Sequence, residues 1–195
     1  KTFFLYIHTS DLSKMKKYIY ILILLIPSFN SYSHTDHYKG TSKIEMDVVR
    51  NEKVIGYSNY FFEHKDNKMT VKNYTNFNVD LFGVSVFSIL SETTEIYENG
   101  KLIYFKSNTF QNKKEKYVNL KYDDKLQKFI IDGSSFKGKA DADCVIGNWW
   151  NHKILQTSKQ ISPLSGSIKE QVVTFVKKDD LMINGKKYST DHFKL

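Results

Sequence analysis

Long stretches of this sequence alternate apolar and polar residues with period two, and nothing else in the chain restricts its fold as much. Ile44, Met46 and Val48 alternate with Glu45 and Asp47. Met69, Val71, Phe77 and Val79 share one parity, with Asn73 and Thr75 between them. Lys68, Thr70, Lys72, Asn76 and Asn78 take the other. Tyr117, Val118, Leu120 and Tyr122 mark a shorter run, and Val172, Thr174 and Val176 oppose Val173 and Phe175. Successive side chains of a strand point to opposite faces, so this patterning predicts strands with one face buried. Beyond residue 34 no amphipathic helix of several turns is visible, although Gly147 to Lys159 leaves room for a short one.

Turn signals separate the runs at hairpin distance. Asn99-Gly100 lies between Thr93–Glu98 and Lys101–Lys106, and Asn184-Gly185 between Leu181–Ile183 and Lys187–Thr190. Both residues of an Asn-Gly pair tolerate the positive φ of a type I′ turn. Asp66-Asn67, Asn112-Lys113, Asp123-Asp124 and Asp179-Asp180 are weaker turn signals of the same kind. The pattern predicts eight to ten antiparallel strands in meander order, several of them long. The fold class is therefore all-β: one strongly curved antiparallel sheet or half-open barrel.

Upstream of the strands, Met15 to Ser33 reads as a secretory leader. Lys16 and Lys17 form its charged start, Tyr18 to Pro27 its apolar run, and Ser31 and Ser33 its small cleavage-site residues. A bilayer span needs about 20 apolar residues, roughly twice this run, so cleavage near Ser33 is expected and no transmembrane anchor after it. Four segments follow: an upstream extension (1–14), the leader (15–33), a flexible start (34–40) and one β domain (41–195). Export removes ATP-driven and nucleotide-cofactor chemistry from the expected functions and implies a periplasmic or secreted location. Of the 29 basic and 21 acidic residues, four lysines and one aspartate precede His34, leaving 25 and 20, a net charge of +5. That excess is spread along the chain and suits solubility or an anionic surface, not nucleic acid. Cys144 is the only cysteine, so no intramolecular disulfide can form, and stability rests on burying the aromatic residues.

Several groups could carry chemistry, and each has a plainer structural explanation. Gly147-Asn148-Trp149-Trp150-Asn151-His152 holds both tryptophans. On a strand one indole would enter the core while the other met solvent or a cavity mouth, with Asn148, Asn151 and His152 as polar selectors. The plainer reading is an aromatic plug whose amides satisfy turn backbone. Cys144 and His152, with Asp141 or Asp143, would suit a thiol nucleophile, yet a lone cysteine usually packs as a small hydrophobe. Glu92, Glu95 and Glu98 would offer paired carboxylates. Glu92 shares a parity with Glu98, and Glu95 faces the other way. Glu92 draws attention if Leu90-Ser91-Glu92 points inward; otherwise it is a solvated strand end. His34-Thr35-Asp36-His37 could hold copper or zinc weakly, but reads as a mobile terminus. No metal site and no cofactor is predicted. The lysine groups Lys113-Lys114, Lys177-Lys178 and Lys186-Lys187 read as charged turns or strand edges that discourage aggregation.

One ordered pattern runs from about Ile44 to the end. It comprises Met46-Asp47-Val48-Val49-Arg50-Asn51-Glu52-Lys53-Val54-Ile55-Gly56, Asn78-Val79-Asp80-Leu81-Phe82-Gly83-Val84 and Thr94-Glu95-Ile96-Tyr97-Glu98-Asn99-Gly100-Lys101-Leu102. Ser107-Asn108-Thr109 and Asn148-Trp149-Trp150-Asn151 follow. This order resembles a bacterial family of secreted proteins known as a domain of unknown function, whose layout is similar to the open β-barrels of periplasmic lipoprotein carriers. The resemblance carries turn and core features, with no active site to transfer. It implies a further strand beyond His192-Phe193-Lys194-Leu195, and hence a sheet lacking its last strand.

The combined expectation is non-enzymatic binding of an apolar or amphipathic envelope molecule in a concave sheet face. Asn148, Trp149, Trp150, Asn151, His152 and Glu92 are the predicted ligand-binding residues. The expected partners are a lipid-like small molecule or an envelope protein. Two alternatives stand beside this reading: an envelope structural or interaction protein, and a hydrolase using Glu92, Cys144 or His152.

Overall fold

The computed structural model describes residues 36–183 and 185–195. The leader, the upstream extension, His34, Thr35 and Asn184 of the second Asn-Gly pair lie outside the described residues.

Eight strands follow one another in an antiparallel meander: β1 (Lys43–Arg50), β2 (Lys53–Lys65), β3 (Lys68–Leu81), β4 (Val84–Glu98), β5 (Lys101–Gln111), β6 (Lys114–Asp123), β7 (Lys128–Gly133) and β8 (Lys137–Asp141). β1 and β8 do not pair, so the sheet stays open. β9 (Val145–Ile146), β10 (Lys159–Ile161) and β11 (Ile168–Glu170) form a second sheet, ordered β11-β10-β9. β12 (Thr174–Ile183) and β13 (Lys186–Lys194) form a separate antiparallel hairpin. The short helix for which Gly147–Lys159 left room is a 3-10 turn, His152–Gln156, capped by the Asn151 side chain accepting from the Lys153 amide at 3.0 Å. No helix among the described residues is long and apolar enough to cross a membrane.

β2, β3 and β4 have 13, 14 and 15 residues, well beyond the usual five or six. Such strands twist and coil, and residues from all of β1 to β5 line one cavity together with Ile146, Pro163 and Leu164. Five strands laid flat would span about 19 Å between outer axes, so converging on one cavity requires the sheet to wrap. The inner face carries the core: Val71, Phe105, Val118 and Leu120 are fully buried there, against Cys144, Ile146, Trp150 and Ile161 of the segment that follows β8 and carries β9 to β11 (residues 142–170), the covering segment.

Local chemistry fixes the hairpins. Asn99 and Gly100 adopt φ of 49° and 76°, and Asn112 and Lys113 adopt 50° and 64°, as type I′ turns require. Asp66 (φ 53°) turns β2 into β3. Gly56 lets β2 approach β3 closely, since a Cβ there would lie 2.1 Å from the Asn76 carbonyl oxygen.

Two expectations are corrected. Asp179-Asp180 is not a turn: β12 runs through it, with Asp179 opposite Thr190 and Asp180 opposite Ser189, and the carboxylates reach Lys177 and Lys187 at 2.7 and 2.8 Å. The alternation at Val172–Val176 does not bury one face either. Every described residue of β12 is exposed, because the strand pairs only with β13 and no layer covers the ribbon.

Candidate functional site

The cavity within the curl of the sheet has a volume of about 430 Å³. Its lining changes character along the strands because the sheet register aligns like residues in rows. One row, nearest the β3–β4 turn, is apolar: Phe77 lies opposite Ile89 and Gly56, with Phe87 and Val48 beside it. The next row is hydroxylic, Ser58–Thr75–Ser91–Thr109, bonded in pairs at 2.8 and 2.6 Å. The third contains Tyr60, Asn73, Thr93 and Ser107. Asn73 donates to the Ser58 hydroxyl at 2.9 Å, and Ser107 donates to the Pro163 carbonyl at 2.5 Å. The fourth contains Phe62, Val71, Glu95 and Phe105, and closes the cavity.

Glu95 is the distinctive group of this face. It is 1 % exposed and accepts hydrogen bonds from three neutral donors. The Tyr97 hydroxyl donates at 2.6 Å, Trp150 Nε1 at 3.0 Å, and Asn148 Nδ2 at 2.9 Å to Oε1 and 3.2 Å to Oε2. The Asn151 backbone amide donates to Asn148 Oδ1 at 3.2 Å, which turns the Asn148 amino group toward the carboxylate. Burial raises the Glu95 carboxyl to about 6, and the three donors oppose that rise. The adjacent Tyr60 and Tyr97 hydroxyls are pushed up, mainly by the same burial. Trp150 is also held by rings: Tyr38, Phe62 and Tyr97 meet it edge-on at 4.9, 5.3 and 5.6 Å between centroids. Tyr38 belongs to the segment read as a flexible start. Asp36–Tyr38 forms a 3-10 turn, and the Tyr38 ring stacks on Phe62 while its hydroxyl donates to the Trp150 carbonyl.

The residues singled out from the sequence divide into three groups. Asn148 and Trp150 meet at Glu95, and Asn151 orients Asn148. Trp149 lines the cavity with most of its indole in solvent, 72 % exposed against 3 % for Trp150. The two indoles diverge on an irregular segment between β9 and the 3-10 turn, not on a strand. Glu92, Cys144 and His152 do not line the cavity. Glu92 points to the outer face, opposite Tyr74 and Asn108. Cys144 is buried within the covering segment, just before β9, its thiol pushed up chiefly by desolvation. The His152 ring lies edge-on to His37 at 5.3 Å.

Sequence reasoning missed Glu95. Its parity with Ile89 and Tyr97 was a signal for the inner face, but Leu90 and Ile96 give the outer parity an equal apolar claim.

Residues 46–195 match the profile of a family described as a domain of unknown function (DUF6134). Among curated proteins and among solved structures, none matches the chain.

Proposed function

Since the chain belongs to the DUF6134 family, whose description carries no activity to inherit, we propose from the geometry that it is an exported binding protein for an amphipathic, lipid-like molecule. The observation that carries this reading is the graded cavity. At about 430 Å³ it falls within the range of small-molecule sites. Val48, Phe77 and Phe87 give it an apolar rim, hydroxyl rows fill its middle, and Glu95 with Asn148 forms its floor. A chain with one polar end satisfies both zones: the alkyl part lies against the rim while the polar end exchanges water for the hydroxyls of Ser91 and Thr93. The leader at Met15–Ser33 supports a location outside the cytoplasm, where such molecules need carriage through water.

The test is organic extraction and native mass spectrometry of the protein purified from its expression host, with displacement of an apolar fluorophore as a second measurement. A stoichiometric lipid-like mass, lost in Ile89→Trp and Ser91→Phe variants that fill the cavity, supports the reading. A ligand-free protein that also takes up no fluorophore overturns it.

A second reading, an envelope interaction protein, is favoured by the β12–β13 hairpin. It presents Phe175, Val176, Leu181, Met182 and Ile183 to solvent. Site-specific crosslinking from Met182 in intact cells tests it; the absence of any crosslinked partner counts against it.

A further inference from the structure

The two ends of the main sheet differ sharply. At one end the β2–β3, β4–β5 and β6–β7 turns read Asp66-Asn67, Asn99-Gly100 and Asp124-Lys125-Leu126-Gln127, polar apart from Leu126. At the other end Val49 and Val54 pair across β1 and β2 with both side chains exposed, and the β3–β4 hairpin carries exposed Leu81, Phe82, Val84 and Val86. That hairpin also projects. β3 leaves β2 after Phe77, and the last contact beside β4 is Ser88, hydrogen-bonded to Asn112 of the β5–β6 turn, so three residue pairs, from Val79↔Phe87 to Leu81↔Val84, extend past the last pairing with either neighbour. At about 3.3 Å per residue the free ribbon is some 10 Å long.

Phe82 occupies the tip, its side chain fully exposed. Its φ is +52°, a left-handed conformation that a bulky side chain rarely adopts. In the four other two-residue turns of this sheet the same first position is Asn51, Asp66, Asn99 or Asn112, types suited to that backbone. Turn chemistry therefore does not account for a phenylalanine here, and packing within the protein does not either. What remains is contact with something outside it.

We propose that this hairpin tip inserts into the surface of an anionic phospholipid bilayer. A ribbon two strands wide, about 5 Å between axes, has no flat face for a second copy but suits a fluid surface. Its free length of about 10 Å matches the roughly 5–10 Å that interfacial segments penetrate. Basic side chains flank it on both sides, Arg50 and Lys53 at the β1–β2 turn and Lys113 and Lys114 at the β5–β6 turn, all exposed. Glu52, Asp80 and Glu115 stand at the same end, so the charge excess is modest and the apolar tip supplies most of the attraction. Of the cavity's lining residues that reach solvent, Val48, Phe77 and Phe87 lie toward this end and Trp149 and Lys169 lie on the covering segment, while Glu95 and Phe105 are buried at the opposite end. Docking by the tip would bring the cavity rim to the lipid, which deepens the binding reading without depending on the cavity being filled.

The test is flotation of the full chain with vesicles of phosphatidylcholine alone or containing one third phosphatidylglycerol, comparing wild type with Phe82→Asn, Phe82→Asn/Val84→Ser and Lys113→Glu/Lys114→Glu. Comparing variants of one chain cancels any contribution from the leader. Tip insertion predicts binding to the anionic vesicles that falls about tenfold or more in the double tip variant and by about fivefold per unit of charge changed, two units for each reversed lysine. It also predicts that Phe82→Asn leaves the Tm unchanged or raises it while weakening binding, a combination that damage to the fold would not produce. Binding equal across all variants, or a lowered Tm in Phe82→Asn, overturns the proposal. Failure of flotation with a lipid still extracted from the cavity refutes docking alone; an empty cavity with intact flotation refutes carriage alone.

Discussion

Replacing Glu95 with glutamine should make the protein more stable at neutral pH and leave it unchanged in acid. The folded carboxyl lies at about 6 against 4.5 for the solvated carboxyl of the unfolded chain, because burial disfavours the anion more than its donors favour it. A raised carboxyl means that the folded state holds its proton more tightly. The protonated form's contribution is fully present below pH 4.5 and is lost as pH rises through 6. That shift of about 1.5 units corresponds to about 2 kcal/mol above pH 7. Glutamine resembles the protonated form: its carbonyl oxygen accepts from Trp150 Nε1 and Asn148 Nδ2, and its amino group donates to the Tyr97 oxygen. Urea unfolding of both proteins from pH 4 to 8 is the assay. The stability difference should be near zero at pH 4, open between pH 4.5 and 6, and reach about 2 kcal/mol in favour of glutamine above pH 7, a Tm difference of about 4–8 °C. Glu95→Ala should instead lose about 3 kcal/mol or more at every pH, since three buried donors lose their acceptor. A wild type that gains on Glu95→Gln as pH rises would refute the reasoning, because the donors would then outweigh burial.

Three further outcomes follow from the packing. Trp150→Phe should cost about 2–4 kcal/mol, through the lost bond to Glu95 and three ring contacts, while Trp149→Phe stays within about 0.5 kcal/mol; urea unfolding measures both. Gly56→Ala should leave little folded protein by circular dichroism, since its Cβ would sit 2.1 Å from a backbone oxygen of the neighbouring strand. Cys144, buried with its thiol pushed up, should react with a thiol reagent at pH 8 only on unfolding, so its labelling rate should track denaturant concentration.

The meander was legible because its information is local. Alternation at Ile44–Val48 and Met69–Val79 and the Asn99-Gly100 and Asn112-Lys113 turns need no distant partner to be read. Phe82-Gly83 was not legible as a turn, since phenylalanine replaces the usual Asn or Asp, and Asp179-Asp180 imitated one inside a strand. The Glu95 cluster was half visible. Asn148 and Trp150 stood out by composition, but the carboxylate they meet lies more than fifty positions earlier, and parity alone could not choose between Glu92 and Glu95. Nor could alternation reveal that β12 and β13 stand uncovered on both faces, because pairing and covering are separate events.

Three anchors tie the covering segment to the sheet and its turns: the Glu95 clasp at Asn148 and Trp150, the Ser107 hydroxyl on the Pro163 carbonyl, and the Ser135 amide on the Ser165 carbonyl. Lifting that segment like a hinged cover would part a buried carboxylate from its Asn148 and Trp150 donors at once, leaving it only Tyr97 of its own strand. The covering segment is therefore a fixed wall and not a movable lid, closer to the shoulder of a bottle than to the cover of a box.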